Sequence, residues 1–195
     1  MKGSSDFVSF RTTVCGIAEL GDHCAFGVSH VLSILDPAAP EPPVFASVGE
    51  HERLELRFDD VIAPMPEQIV PTAREVEEIL AFGRGLEAES DAHLLVHCHA
   101  GISRSTAAMT LILAQARPDL PPAAVLDEVL RIRHHAWPNL LILEIGDRLL
   151  SRRGGLVRAV GAVYRRQLDR RPELAEFFTA SGRAREVELA LRSRS

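Results

Sequence analysis

The sequence predicts an α/β protein with a central, mostly parallel sheet of four to five strands flanked by helices. Three observations predict it. Short apolar runs recur at Thr13-Val14-Cys15, His30 to Leu35, Arg53 to Phe58 and His93 to His97, with strand rather than helix lengths. Segments of helical periodicity stand between and after them, and a strand-helix-strand succession implies parallel pairing. The 195 residues, 46% hydrophobic and 25% charged, suit one ordinary globular unit with a sizeable core.

Thr13-Val14-Cys15 is the first strand. Ala18 to Ala25 reads as a short helix closed by Gly27, since glycine freely takes the left-handed conformation that ends helices. His30-Val31-Leu32-Ser33-Ile34-Leu35 is a buried strand, and Pro37 to Pro43 a stiff surface loop. Arg53-Leu54-Glu55-Leu56-Arg57-Phe58 alternates apolar and polar residues as a half-exposed strand does, and ends in Asp59-Asp60. Pro71-Thr72 opens a helix that buries Val76, Ile79, Leu80 and Phe82 and exposes Glu75, Glu77 and Glu78, with Gly83 and Gly85 loosening its end. His93 to His97 is the central strand. Arg104 to Arg117 is an apolar helix stopped by Pro118; Pro121-Pro122 opens the next, and Leu140 to Leu150 is a core helix.

The net charge of −5 hides an asymmetry: residues 1–147 carry 10 basic and 22 acidic side chains, residues 148–195 carry 12 and 5. The division predicts a main unit over 1–154 and a basic helical extension over 155–195, packed on it or appended to it. The extension's arginines are interleaved with Leu, Val and Glu at helical spacing, so it reads as a solvated helix face docking on an acidic body. Nucleic-acid or acidic-membrane binding is the competing reading, and nucleic acid is not the expected partner. No apolar run approaches the ~20 residues needed to span a bilayer, and Met1 to Asp6 has no hydrophobic segment. Three cysteines, Cys15, Cys24 and Cys98, show no disulfide-framework spacing, which fits a reducing compartment and predicts a cytoplasmic protein.

Chemistry concentrates in His97-Cys98-His99-Ala100-Gly101-Ile102-Ser103-Arg104-Ser105-Thr106. This stretch reads as a strand end, a tight loop and a helix N-terminus, where unpaired N–H groups and the helix dipole attract anions. Gly101 lets the loop curl. Cys98 enters the cradle and Arg104 leaves it. The groups that attract an oxyanion also stabilise a thiolate, so the Cys98 pKa is expected to fall from about 8.5 to roughly 3.5–7.5. Carboxylates at a strand's end, as in Asp59-Asp60, can reach into a site. His93, His97, Cys98 and His99 make poor metal ligands as a set, because adjacent strand residues alternate faces and no second ligand pair follows at zinc spacing.

The stretch resembles the signature of the cysteine-dependent protein tyrosine phosphatase superfamily: His-Cys, five residues, Arg, then Ser or Thr. The resemblance implies a phosphotyrosine protein phosphatase-like fold and hydrolysis of phosphate monoesters through a phosphocysteine at Cys98, with no metal or other cofactor. It implies that Arg104 holds two phosphate oxygens, that His99, Ala100, Gly101, Ile102 and Ser103 line the oxyanion seat, that Ser105 helps release the cysteine and that His97 tunes the thiol. Gly27 to Ile34 also resembles a strand of the dual-specificity phosphatases. In those enzymes an acid lies just after the equivalent of Arg53 to Phe58, which implies Asp60 as general acid, with Asp59 as the alternative. Arg131 to Asn139 is similar to their basic segment ending in Pro-Asn, which implies that Asn139 braces the loop. The implied substrate is a phosphorylated protein, tyrosine or dual-specificity. A phosphoinositide or small-molecule phosphatase is the alternative, made less apt by the loop's lack of lysine. A weakly active phosphotyrosine-binding pseudophosphatase and a rhodanese-like sulfurtransferase are the other readings.

Overall fold

The computed structural model describes residues 7–24, 27–46, 50–89 and 91–193. Four strands, β1 (Arg11–Gly16), β2 (His30–Leu35), β3 (Glu52–Arg57) and β4 (His93–Cys98), pair in parallel in the order β1-β4-β2-β3. β2 and β4 have neighbours on both sides and are buried at every position, as their apolar sequences require. β3 is an edge strand and keeps the alternation read from its sequence, with Leu56 buried between exposed Glu55 and Arg57. The carboxyl ends of parallel strands open on one edge of the sheet, so Gly16, Leu35, Arg57 and Cys98 all deliver their following loops there.

Among the described residues the helices are α1 (Leu20–Cys24), α2 (Ala73–Leu86), α3 (Arg104–Ala116), α4 (Pro122–Ile132), α5 (Leu140–Leu149), α6 (Gly155–Arg170), α7 (Leu174–Ala180) and α8 (Ala184–Arg192). Their starts follow from local chemistry. Thr72 caps α2 and exchanges hydrogen bonds with Glu75, and Pro122 fills the first position of α4, where no amide hydrogen is needed. The Asn139 side-chain Oδ1 accepts from the Ile142 amide at the start of α5 at 3.1 Å. The Asp147 carboxylate accepts from the amides of Gly154 and Leu156 at the start of α6. α1 is described only to Cys24, and Ala25, the expected end of this helix, lies outside the described residues.

α3 is buried along its length from Arg104 to Ala114, between the sheet and helices α2, α4 and α5. A large core on this side runs from Leu32, Leu94 and Val96 through Met109, Leu111 and Ile112 to Leu143. It continues without a break into α6, α7 and α8 through Val160, Tyr164, Phe178 and Val187. A smaller cluster of Cys15, Leu20, Val31, Phe45 and Leu95 covers the opposite face. No helix among the described residues is long and apolar enough to cross a membrane.

One local expectation is corrected. Gly83 does not loosen α2, which runs on to Leu86. A Cβ at Gly83 would stand 2.9 Å from Ile112, so this glycine is where α2 and α3 approach closely. The same holds more tightly at Gly146 on α5, where a Cβ would meet three carbons of Leu111 at 2.3–2.8 Å. Gly146→Ala is therefore expected to lower stability by about 1–3 kcal/mol through overpacking. Leu111→Ala in the same chain should relieve the clash, so that denaturant unfolding of the double variant shows a smaller loss than the two single losses summed.

Candidate active site

β4 ends at Cys98, and the chain then turns through His99–Ser103 into α3. Every carbonyl of that loop accepts from a group behind it. Ile17 N–H donates to the His99 carbonyl at 3.0 Å, Trp137 N–H to Ile102 at 2.9 Å and Asn139 N–H to Ser103 at 3.2 Å. The Arg133 guanidinium donates to Ala100 and Gly101 at 3.2 and 3.1 Å, and is itself held by the Glu19 carboxylate at 2.7 and 2.8 Å. That pairing holds the Glu19 carboxyl down at a pKa of about 2, with the Arg133 hydrogen bonds the largest favourable cause. The carbonyls are thus all directed away from Cys98. Among the described residues, no backbone N–H from His99 to Ser103 donates to another protein group.

Gly101 makes the curl possible. Its φ is +69°, and a Cβ there would lie 2.4 Å from the Cys15 carbonyl carbon and 2.5 Å from the Gly16 nitrogen, so a side chain would meet backbone that cannot move aside.

The Cys98 sulfur is 3.2 Å from the Ser105 hydroxyl, and both residues are buried. Arg104 is 2% exposed. Its NH1 donates to the Phe58 carbonyl at the end of β3 at 2.6 Å, and its NH2 pairs with Asp36 at the end of β2 at 2.7 Å. Its Nε has no partner among the described residues. A buried cationic nitrogen without an acceptor is costly, and this one stands beside the loop amides that also lack one.

Asp60 enters from the segment after β3. Its Oδ1 accepts from the Ser103 hydroxyl at 2.7 Å and from Asn139 Nδ2 at 2.9 Å; its Oδ2 accepts from Arg183 at 3.2 Å. Cys98, Arg104, Asp60 and Asp36 line one open cavity of about 400 Å³, walled on the far side by Phe177, Phe178, Ser181 and Arg183.

No family model and no curated protein sequence matches this chain. Solved structures do. PTPMT1 in complex with PI(5)P superposes with a TM-score of 0.54 at 18% identity, covering 75% of this chain and 92% of that one. Tk-PTP in its active form gives 0.53 at 22%, covering 78% and 99%, and human DUSP28 gives 0.54 at 17%, covering 72% and 92%. The fold is that of the cysteine-dependent phosphatases.

Within this phosphatase fold the residues singled out from the sequence fall into two groups. Cys98, Arg104, Asp60, Ser103 and the loop His99, Ala100 and Ile102 line the one cavity, with Ser105 and Gly101 directly behind. Asn139 stands at the junction of three elements. Its backbone N–H donates to the Ser103 carbonyl, its Nδ2 holds Asp60 and the Val61 carbonyl, and its Oδ1 caps α5. Asp59 is not with them, because its carboxylate accepts from the Ile69 amide at 2.7 Å and closes the 59–69 loop. His97 points to the other face of the sheet, 2.7 Å from the Ser33 hydroxyl and against the Phe45 ring, while His93 meets Thr13.

Sequence reasoning missed five charged residues of the site. Asp36 carried the same signal as Asp60, a carboxylate at a strand's carboxyl end, and could have been found by applying that rule to β2. Glu19 and Arg133 pair over a separation of 114 residues, and Arg183 and Glu186 come from the far end of the chain, with no local pattern to mark them.

Burial lowers the His97 pKa from 6.5 to about 4, so the folded protein keeps this imidazole neutral. The unfolded chain binds a proton there below about pH 6.5, and the folded chain does so only below about 4. His97 therefore contributes stability that is complete above about pH 6.5 and is lost as pH falls toward 4, on the order of 3 kcal/mol in all. Urea unfolding at about pH 7 and pH 4.5 should show the wild type losing up to that much more than His97→Asn; equal losses would mean that His97 already binds its proton in the folded state.

Proposed function

We propose that this protein is a phosphomonoesterase that removes phosphate from phosphotyrosine, or from phosphotyrosine and phosphoserine or phosphothreonine alike, in a protein substrate. One observation carries the reading: the His99–Ser103 amides and the Arg104 Nε have no acceptor among the described residues, and they belong to the segment that lines one cavity with Cys98. A tetrahedral oxyanion supplies the acceptors that this arrangement lacks.

In the proposed reaction the Cys98 thiolate attacks phosphorus in line with the ester oxygen. A phosphorus–sulfur bond forms, the phosphorus–oxygen ester bond breaks, and Asp60 gives its proton to the departing oxygen. The planar fork of Arg104 stays on two phosphate oxygens as charge redistributes, its orientation fixed by Asp36 and the Phe58 carbonyl. A water then attacks phosphorus, Asp60 takes its proton, and sulfur leaves as a thiolate that receives a hydrogen bond from Ser105. The products are the dephosphorylated side chain and inorganic phosphate.

A protein substrate is favoured over a polyphosphorylated lipid by charge. Asp36 and Asp60 stand at the cavity wall, the loop carries no lysine, and Arg183 is already occupied by carboxylates. Extra phosphates on a substrate would therefore meet carboxylates rather than free cations.

Hydrolysis of a phosphotyrosine peptide in excess EDTA tests the reading. Turnover should persist in the chelator, vanish in Cys98→Ser and fall about 10²–10⁴-fold in Asp60→Asn. Activity that survives Cys98→Ser contradicts the mechanism, and tight peptide binding with no turnover by the wild type makes the protein a phosphotyrosine reader instead.

A further inference from the structure

The C-terminal helices reach the cavity through one side chain. Arg183, in the turn between α7 and α8, is 5% exposed and lies 123 residues from Asp60 along the chain. Its Nε and NH2 grip both oxygens of Glu186 at 2.8 Å, and its guanidinium carbon stands 5.1 Å from the Phe178 ring centre. Glu186 is in turn held by the Trp137 indole N–H at 2.6 Å and the Leu140 amide at 3.0 Å, on either side of Pro138-Asn139. The pair is thus locked to the same segment that positions the catalytic loop.

An anchor for the tail would need only the Arg183–Glu186 grip. Arg183 goes further. Its NH1 donates to Asp60 Oδ2 at 3.2 Å and its NH2 to the Ser103 hydroxyl at 2.9 Å, and that hydroxyl donates to Asp60 Oδ1. We propose that Arg183 is a positioning residue for Asp60, so that the C-terminal helices complete the catalytic centre of the phosphatase. The proposal rests on the reading of Asp60 as the leaving-group acid.

Lone-pair accounting gives the arrangement a chemical sense. Each carboxylate oxygen has two acceptor sites. Those of Oδ1 are filled by Ser103 and Asn139, whereas Oδ2 accepts from Arg183 alone among the described residues. The free site on Oδ2 is the one left to carry a transferable proton, and the Arg183 contact sets its direction. Ser103 and Asn139 tether only one oxygen of the carboxyl, and Arg183 is the contact that fixes the other and with it the carboxyl plane.

The test compares phenyl phosphate, whose leaving group needs a proton, with dinitrophenyl phosphate, whose leaving group departs unaided. Asp60→Asn sets the scale, with kcat for phenyl phosphate down about 10²–10⁴-fold and kcat for dinitrophenyl phosphate little changed. Arg183→Met should move the same way by about tenfold or more on phenyl phosphate, with KM held, and Arg183→Lys should recover part of the loss. Arg183→Met/Glu186→Gln removes both buried charges together and serves where the single variant does not fold. Equal losses on both substrates, no loss on either, or failure of both variants to fold would overturn the proposal, reducing Arg183 to a support of the fold. Should Asp60→Asn itself lose equally on both substrates, the reading of Asp60 as acid falls instead.

Discussion

The structure depends on keeping a run of backbone amides without acceptors beside a buried guanidinium. Left alone, a loop of this kind would turn its own carbonyls toward Arg104 and satisfy both. The chain prevents that by engaging every carbonyl from His99 to Ser103 from behind, with donors drawn from β1's end, the Trp137–Asn139 segment and Arg133. The positive φ of Gly101, pressed against the Cys15–Gly16 backbone, fixes the direction of the turn. The parallel sheet supplies the remaining requirement, because β1, β2, β3 and β4 all release their loops on the same edge.

Arg104 shows how three of the strand ends combine. β4 leads into the helix that carries it, β3 offers the Phe58 carbonyl and β2 offers Asp36, so that NH1 and part of NH2 are spent on orientation while Nε stays open. A guanidinium restrained in this way loses little freedom when an oxyanion arrives. Asp60 is treated similarly, with its carboxyl held by Ser103 and Asn139 on one oxygen and Arg183 on the other. The stacked rings of Trp137, Tyr164 and Phe178 form the apolar wall on which that polar network rests.

The elements built from local patterns were legible in the sequence. All four strands stand where apolar runs of strand length predicted them, and the helix-opening signals at Pro71-Thr72 and Pro121-Pro122 mark real helix starts. The signature from Cys98 to Ser105 was legible as a motif, whereas the groups that hold its loop in shape, Ile17, Arg133, Trp137 and Asn139, come from distant parts of the chain. What could not be read is what pairs across long separations. Glu19 with Arg133 and Asp60 with Arg183 are charges among many charges in the sequence, and only the tertiary fold selects the partners. Gly83 and Gly146 were opaque for a related reason, since a glycine needed for close approach of two helices looks the same in a sequence as one that ends a helix. The basic composition of the tail pointed to a solvated face, and it concealed two charged residues, Arg183 and Glu186, that the fold buries.

The proposed reaction passes through covalent phosphorylation of Cys98. Rapid acid quench of the protein during turnover of a radiolabelled phosphotyrosine peptide, followed by peptide mapping, tests it most directly. The account predicts label on the peptide that holds Cys98, absent in Cys98→Ser and chased off by unlabelled substrate at the rate of turnover. Turnover with no labelled protein at any quench time, or label on a residue other than Cys98, would contradict it.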